Sequence, residues 1–237
     1  MIRPPFRADS RDRQQQEPRN TMNKFLSIVL ASTLAIGVSS LAVAQDGGKE
    51  GRGERRAQRA GAKSDGAKVG EAAPSFTLKT ADGKDWSLSD AAGKVVVIEW
   101  INPECPVCER VMKDGTVANT IKGVKAQFPD AVYLAINSSA SRPSSFDATP
   151  EYLKKNNIDI AALFDRDGKV GKSYGARTTP HCFVIDANGV LVYKGAIDNS
   201  QGGDGKTNYV VQAVTQLKKG ESVSPSETKP FGCGVKY

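Results

Sequence analysis

The stretch that most constrains this chain is Val95-Val96-Val97-Ile98-Glu99-Trp100-Ile101, followed at once by Asn102-Pro103-Glu104-Cys105-Pro106-Val107-Cys108. A continuous apolar run rich in β-branched residues suits a central strand buried on both faces. The cysteine pair then falls at the start of a predicted helix. A thiolate there is stabilised by unpaired N–H groups and the helix dipole, which lowers its pKa. Pro106 suits the first turn, where its missing N–H costs nothing. In this arrangement Cys105 is an exposed nucleophile. Cys108, one turn further in, is a buried resolving thiol that closes the disulfide. The same pair also fits half of a zinc site or an inert structural bridge. Zinc takes about four ligands, and the chain offers only His181, Cys182 and Cys233 besides the pair. Redox chemistry is the preferred reading.

The flanking sequence supplies the rest of an α/β domain. Phe76 to Leu78 and Trp86 to Leu88 enclose the turn Ala81-Asp82-Gly83-Lys84, which reads as a hairpin. A helix is expected from about Cys105, broken near Gly115 and resumed to Phe128. A strand follows over 131–136. Thr149-Pro150-Glu151 reads as an N-cap, a proline at the first helical position and an acidic first turn, with a short helix to about Asn156. A strand at 161–164 and a short helix at 170–174 come next. A second hairpin is expected from 182–185 and 190–193 around Asp186-Ala187-Asn188-Gly189. The stripe Val210, Val211, Val214 and Leu217 marks a last helix. The order implies a mixed sheet, parallel strands followed by an antiparallel pair, with helices on both faces. The tail 220–237 reads as irregular, with Phe231, Val235 and Tyr237 available to dock.

Upstream of this domain, Met22-Asn23-Lys24 precedes an apolar run to Val43 that ends in Ala42-Val43-Ala44. A positive start, an apolar centre and an A-x-A end describe a secretory signal peptide over residues 22–44. Met22 is then the expected start, and residues 1–21 an overcalled beginning. The competing reading is a cytoplasmic tail before an uncleaved membrane anchor. Residues 45–68 are Gly, Ala, Arg and Lys rich without periodicity, as in a disordered linker. The formal charge of +7 is concentrated in these parts. Residues 1–44 hold six basic and three acidic side chains, and 46–68 hold seven and four. The domain over 69–219 is therefore near neutral and has no basic stripe for nucleic acid.

The strand, the Cys-x-x-Cys at a helix start and Thr179-Pro180 before another strand resemble the thioredoxin superfamily. Leu163-Phe164-Asp165 through Tyr174-Gly175 to Thr179-Pro180-His181-Cys182-Phe183-Val184-Ile185-Asp186 resembles its redoxin branch, the alkyl hydroperoxide reductase/thiol-specific antioxidant relatives. Glu99 to Pro106, with the closing Pro230-Phe231-Gly232-Cys233-Gly234-Val235-Lys236-Tyr237, is similar to an exported peroxiredoxin-like subgroup. The resemblance implies a thioredoxin fold with an N-terminal hairpin extension and no cofactor. It also implies a cis peptide at Pro180 and, at Thr179, backbone groups that bind a thiol partner. Glu99 occupies the place of the buried acid that takes the proton of Cys108; a Glu paired with a lysine is the plain alternative.

Several positions depart from the family patterns. Glu104 replaces a tryptophan before the first cysteine, and its charge disfavours the Cys105 thiolate. The peroxide-binding threonine of peroxiredoxins has no counterpart, since the matching places before Cys105 hold Ile98 and Asn102. Arg177 is either a thiolate-stabilising or a surface residue. Cys182 and Cys233 either form a structural disulfide, or Cys233 resolves Cys105 in a second exchange. His181 could join Cys105 and Cys108 in holding copper, with a half-exposed strand residue as the plainer reading. The expected function is an exported thiol–disulfide oxidoreductase, periplasmic or secreted. Its partners are protein thiols and disulfides and an upstream reductant or oxidant. A thiol peroxidase with Cys105 as the peroxide-reducing cysteine, and a metal-binding module, are the alternatives.

Overall fold

The computed structural model describes residues 66–203 and 205–237. The expected overcalled start, the signal peptide and all but the end of the linker lie outside the described residues. The elements are β1 (Thr77–Thr80), β2 (Asp85–Ser87), β3 (Val96–Trp100), α1 (Pro106–Lys113), α2 (Thr116–Gln127), β4 (Val132–Asn137), α3 (Ser144–Lys155), β5 (Ala161–Phe164), α4 (Lys169–Tyr174), β6 (Thr178–Thr179), β7 (His181–Ile185), β8 (Leu191–Gly195), α5 (Tyr209–Lys218) and β9 (Cys233–Gly234). Seven strands form one sheet in the order β2-β1-β5-β4-β3-β7-β8, and β6 pairs with β9 beside it.

β3 lies inside this sheet, parallel to β4 and antiparallel to β7. All five of its residues are buried, as its unbroken apolar run requires. Alternation along the strands then divides the core in two. Val97, Tyr133, Ala135, Cys182 and Val184 face one cluster, which also takes Val111 and Met112 of α1, Val117 and Val124 of α2, Phe146 and Leu153 of α3, and Val210 and Val214 of α5. Val96, Ile98, Trp100, Leu134, Ile136 and Phe183 face the other, closed by Tyr174 of α4, Phe76 of the hairpin, Ala91 and Ala67. Ala67 is buried and its N–H donates to Tyr174 O. The packed part therefore begins inside the segment expected as linker.

The break between α1 and α2 falls at Gly115, whose φ of 82° places it in the left-handed region. The expectation for α3 needs correction. The helix begins at Ser144, and Pro150 stands inside it. Thr149 is not a cap: its hydroxyl donates to Ser145 O (2.7 Å) and accepts from Asn137 Nδ2 (3.0 Å). Pro150 is tolerated because it sits on the exposed side while Phe146, Tyr152 and Leu153 anchor the buried side. α5 is capped by Asn208, whose Oδ1 accepts from Val211 N (2.9 Å).

The tail docks, and its mostly irregular course includes one short strand, β9, that pairs with β6. Cys233 lies opposite Thr179 in the β6–β9 pair. Val235 N donates to Arg177 O (3.1 Å), and Tyr237 donates to Ala176 O (2.7 Å). Glycine makes this approach feasible: a Cβ at Gly232 would lie 2.1 Å from Thr179 O, and one at Gly171 would lie 2.7 Å from the Tyr237 ring.

Candidate active site

The loop Ile101–Cys105 carries the chain from the end of β3 to the start of α1. Asn102, itself buried, shapes it: its Oδ1 accepts from Glu104 N (2.8 Å) and its carbonyl from Cys105 N (3.0 Å). Cys105 thereby becomes the N-cap of α1, extended at φ −88°, ψ 118°, with Pro106 at the first helical position. Its thiol donates to Thr179 O (3.0 Å). The Thr179–Pro180 peptide is cis.

The two thiols of the pair are driven apart in acidity. Hydrogen bonding from the Cys108 side chain, helped by Cys233, the Cys108 backbone and Thr179, holds Cys105 down at about 4 against the opposing effect of burial. A helix terminus contributes about 0.3–1 kcal/mol, which is less than one pKa unit at about 1.4 kcal/mol per unit. The direct donors, not the dipole, therefore decide the acidity. Cys108 is pushed up by burial, then by the hydrogen bond and charge of Cys105 and by the charge of Glu99.

Glu99 lies on β3 with its side chain buried. Tyr133 donates to its Oε2 (2.7 Å), whereas its Oε1 is buried without a partner, as is the hydroxyl of Tyr152. Burial raises this carboxyl to about 7, only partly opposed by the Tyr133 bond. Its partner is thus a phenol, not a lysine.

Cys105 is not the exposed thiol expected from the sequence. It is buried, because the tail crosses it: Cys105 and Cys233 line one small cavity of about 190 Å³ together with Asn102, Glu104, Arg142 and Lys236. The charge of Glu104 is also offset. Its carboxylate meets Arg142 Nη1 at 2.9 Å and accepts from Ser144 Oγ at 3.4 Å. Nothing local in the sequence signals Arg142, Lys236 or Tyr133 as parts of this neighbourhood. They arrive from a loop, the tail and β4.

All four cysteines are free. Cys233 reaches Cys105, not Cys182. Cys182 is sealed in β7 opposite Glu99 and Gly195, so the structure does not bring together the disulfide Cys182–Cys233. His181 is also corrected. It is buried, lies opposite Trp100, and packs at a tilt against Phe183, ring centroids 4.4 Å apart, on the face of the sheet away from Cys108. Its Nδ1 accepts from Arg177 N (3.2 Å), and burial, then Arg177 and Lys194, lower it to about 3. The copper set Cys105, Cys108 and His181 is therefore split between two faces. Arg177 has an exposed side chain and serves the tail through its backbone.

A Redoxin family profile matches residues 68–212, more than half of the chain. The chain belongs to the Redoxin family. The thiol-disulfide oxidoreductase ResA of Bacillus subtilis (strain 168) is 28% identical over 123 residues, 52% of this chain and 64% of that protein. Chloroplastic peroxiredoxin Q of Populus jackii is 32% identical over 130 residues, 52% of this chain and 57% of that protein. The chain thus spans less than two thirds of the length of either. Among solved structures, a hypothetical protein of Sinorhizobium meliloti 1021 aligns with a TM-score of 0.61 at 25% identity, covering 72% of this chain and 94% of that one. An uncharacterised conserved protein of Geobacillus kaustophilus aligns at 0.60 and 23% identity, covering 72% and 92%; it speaks to the fold alone. This redoxin has the thioredoxin fold and a thiol redox function.

Proposed function

We propose that this redoxin is an exported thiol–disulfide oxidoreductase that exchanges disulfides with protein partners through Cys105 and Cys108. The observation that carries the reading is Cys105 at the N-terminus of α1 with its thiol on Thr179 O (3.0 Å), backed by a buried Cys108 and a buried Glu99 on the preceding strand. The Cys105 thiolate attacks a sulfur of the partner's disulfide, and the partner's other sulfur leaves as a thiolate. Cys108 then gives its proton to Glu99 and attacks Cys105 Sγ. The partner's second sulfur departs with the bonding electrons, leaving the partner reduced and Cys105–Cys108 oxidised. A carboxyl near 7 suits this proton transfer, because both its forms are populated at neutral pH. Thr179 and Pro180 position the exchanging sulfur through the carbonyl that already meets Cys105.

The signal-like segment 22–44 supports export, with the linker from 45 as a spacer that ends before buried Ala67, the redox domain running from there to 219, and 220–237 as its tail. The test is a redox titration of the full chain against glutathione, with Cys182 and Cys233 replaced by serine. A reversible two-electron transition within roughly −120 to −270 mV is expected, and its position assigns reductant or oxidant. A pair that never titrates, or that resists reduction, overturns the reading.

The likeness to peroxiredoxin Q favours a second reading, in which Cys105 reduces peroxide. It requires sulfenic acid at Cys105 and rapid peroxide consumption with a thiol reductant.

A further inference from the structure

The tail is held beside Cys105 by contacts on either side of Cys233. Ser141 N and Oγ donate to Lys236 O at 2.9 and 3.0 Å, and Tyr237 seats against Gly168 and Gly171. Between these anchors and Gly232, β9 pairs with β6 and sets Cys233 opposite Thr179, the residue whose carbonyl receives the Cys105 thiol. Thr179 Oγ1 also donates to Cys233 O (3.4 Å). Cys105 therefore has a second thiol on each flank: Cys108 in the first turn of α1, and Cys233 lining the same small cavity as Cys105. Cys233 is the member of the three that is not fully buried.

We propose that Cys233 is a third exchanging cysteine, which moves the disulfide from Cys105–Cys108 to Cys105–Cys233. The step rests on the oxidoreductase reading, whose exchange with protein disulfides supplies the Cys105–Cys108 bond. Cys233 loses its proton, and its thiolate attacks Cys105 Sγ opposite Cys108. The Cys105–Cys233 bond forms as Cys105–Cys108 breaks, and the electron pair leaves on Cys108, which takes up a proton. One disulfide is exchanged for another, so no further oxidant is consumed. The shift carries the disulfide from a buried sulfur pair to one with a solvent-facing member, where an incoming thiolate can reach Cys233.

The test is disulfide mapping of the full chain after oxidation with glutathione disulfide, acid quenching, alkylation and mass spectrometry of the peptides. Wild type is expected to hold both Cys105–Cys108 and Cys105–Cys233. The variant C108S is expected to lose two thiols per chain to Cys105–Cys233, at a rate independent of protein concentration. C182S is expected to match wild type. If C108S carries only a glutathione adduct at Cys105 with Cys233 alkylated, and wild type never links Cys233, the proposal falls while the oxidoreductase reading stands. If wild type never forms Cys105–Cys108, both fall. The wild-type map separates these outcomes even where a substituted chain fails to fold.

Discussion

Glu99→Gln should change how stability depends on pH, and by a calculable amount. In the folded chain this carboxyl is raised to about 7 by burial from an ordinary 4.5. The folded state therefore binds the proton more tightly than the unfolded state. Its stabilising effect is fully present below about 4.5 and is lost as pH rises through about 7. A shift of this size is worth about 3 kcal/mol at full ionisation, of which about 2–3 kcal/mol develops between pH 5 and pH 8. Glutamine keeps an acceptor for Tyr133 and has no proton to lose. Any constant offset from its buried amide cancels when slopes are compared. His181 and Cys105 also titrate on unfolding, but they do so in both proteins. The assay is thermal or urea unfolding of reduced wild type and E99Q at pH 5 and pH 8. Relative to wild type, E99Q should gain about 2–3 kcal/mol on going from pH 5 to pH 8, or roughly 5–10 °C in midpoint for a chain of this size. Parallel pH profiles would refute the claim that burial raises the Glu99 carboxyl toward neutrality.

Three further outcomes are expected of the site and its support. The ultraviolet thiolate signal of reduced protein should titrate at Cys105 with a midpoint of about 4; C108A removes its principal hydrogen-bond donor and should move that midpoint up by more than one unit, and an unchanged midpoint would return the credit to the helix terminus. Arg142→Ala releases Glu104 beside Cys105 and should raise the same midpoint by only a few tenths of a unit, because the pair is half exposed; a shift beyond one unit would mean the ion pair governs the site. Asn208→Ala deletes the α5 cap and the bond of Nδ2 to Thr120 Oγ1 at 2.6 Å, and should cost about 1–2 kcal/mol in thermal unfolding without altering the Cys105 titration.

What the chain declares locally and what it settles only on folding divide along physical lines. Val95 to Ile101 announces a strand buried on both sides because no residue in it except Glu99 can face water at low cost, and Cys105-Pro106-Val107-Cys108 announces a helix start because proline fits the first turn. The hairpin turns, the break at Gly115 and the stripe of α5 are legible for the same reason: each rests on the conformational needs of a few adjacent residues. Thr149-Pro150 misleads by that logic, since a local cap signal is overridden when Phe146 and Tyr152 are anchored in the core and Asn137 engages the threonine hydroxyl.

The electrostatic setting of the dithiol is of another kind. That Glu99 meets Tyr133, that Arg142 offsets Glu104, that His181 turns to the face away from Cys108, and that Cys233 reaches Cys105 while Cys182 does not, all depend on strand register and on the route of the tail across β6. Most of those contacts join residues far apart in the chain, 34 positions for Glu99 and Tyr133 and 38 for Glu104 and Arg142, and short-range pattern carries no information about them. By itself the sequence determined the fold family and put two cysteines at a helix start after a buried strand. Which groups set the acidity of that pair, and which third thiol stands against it, were decided only by tertiary packing, because desolvation and hydrogen bonding act through space and not along the chain.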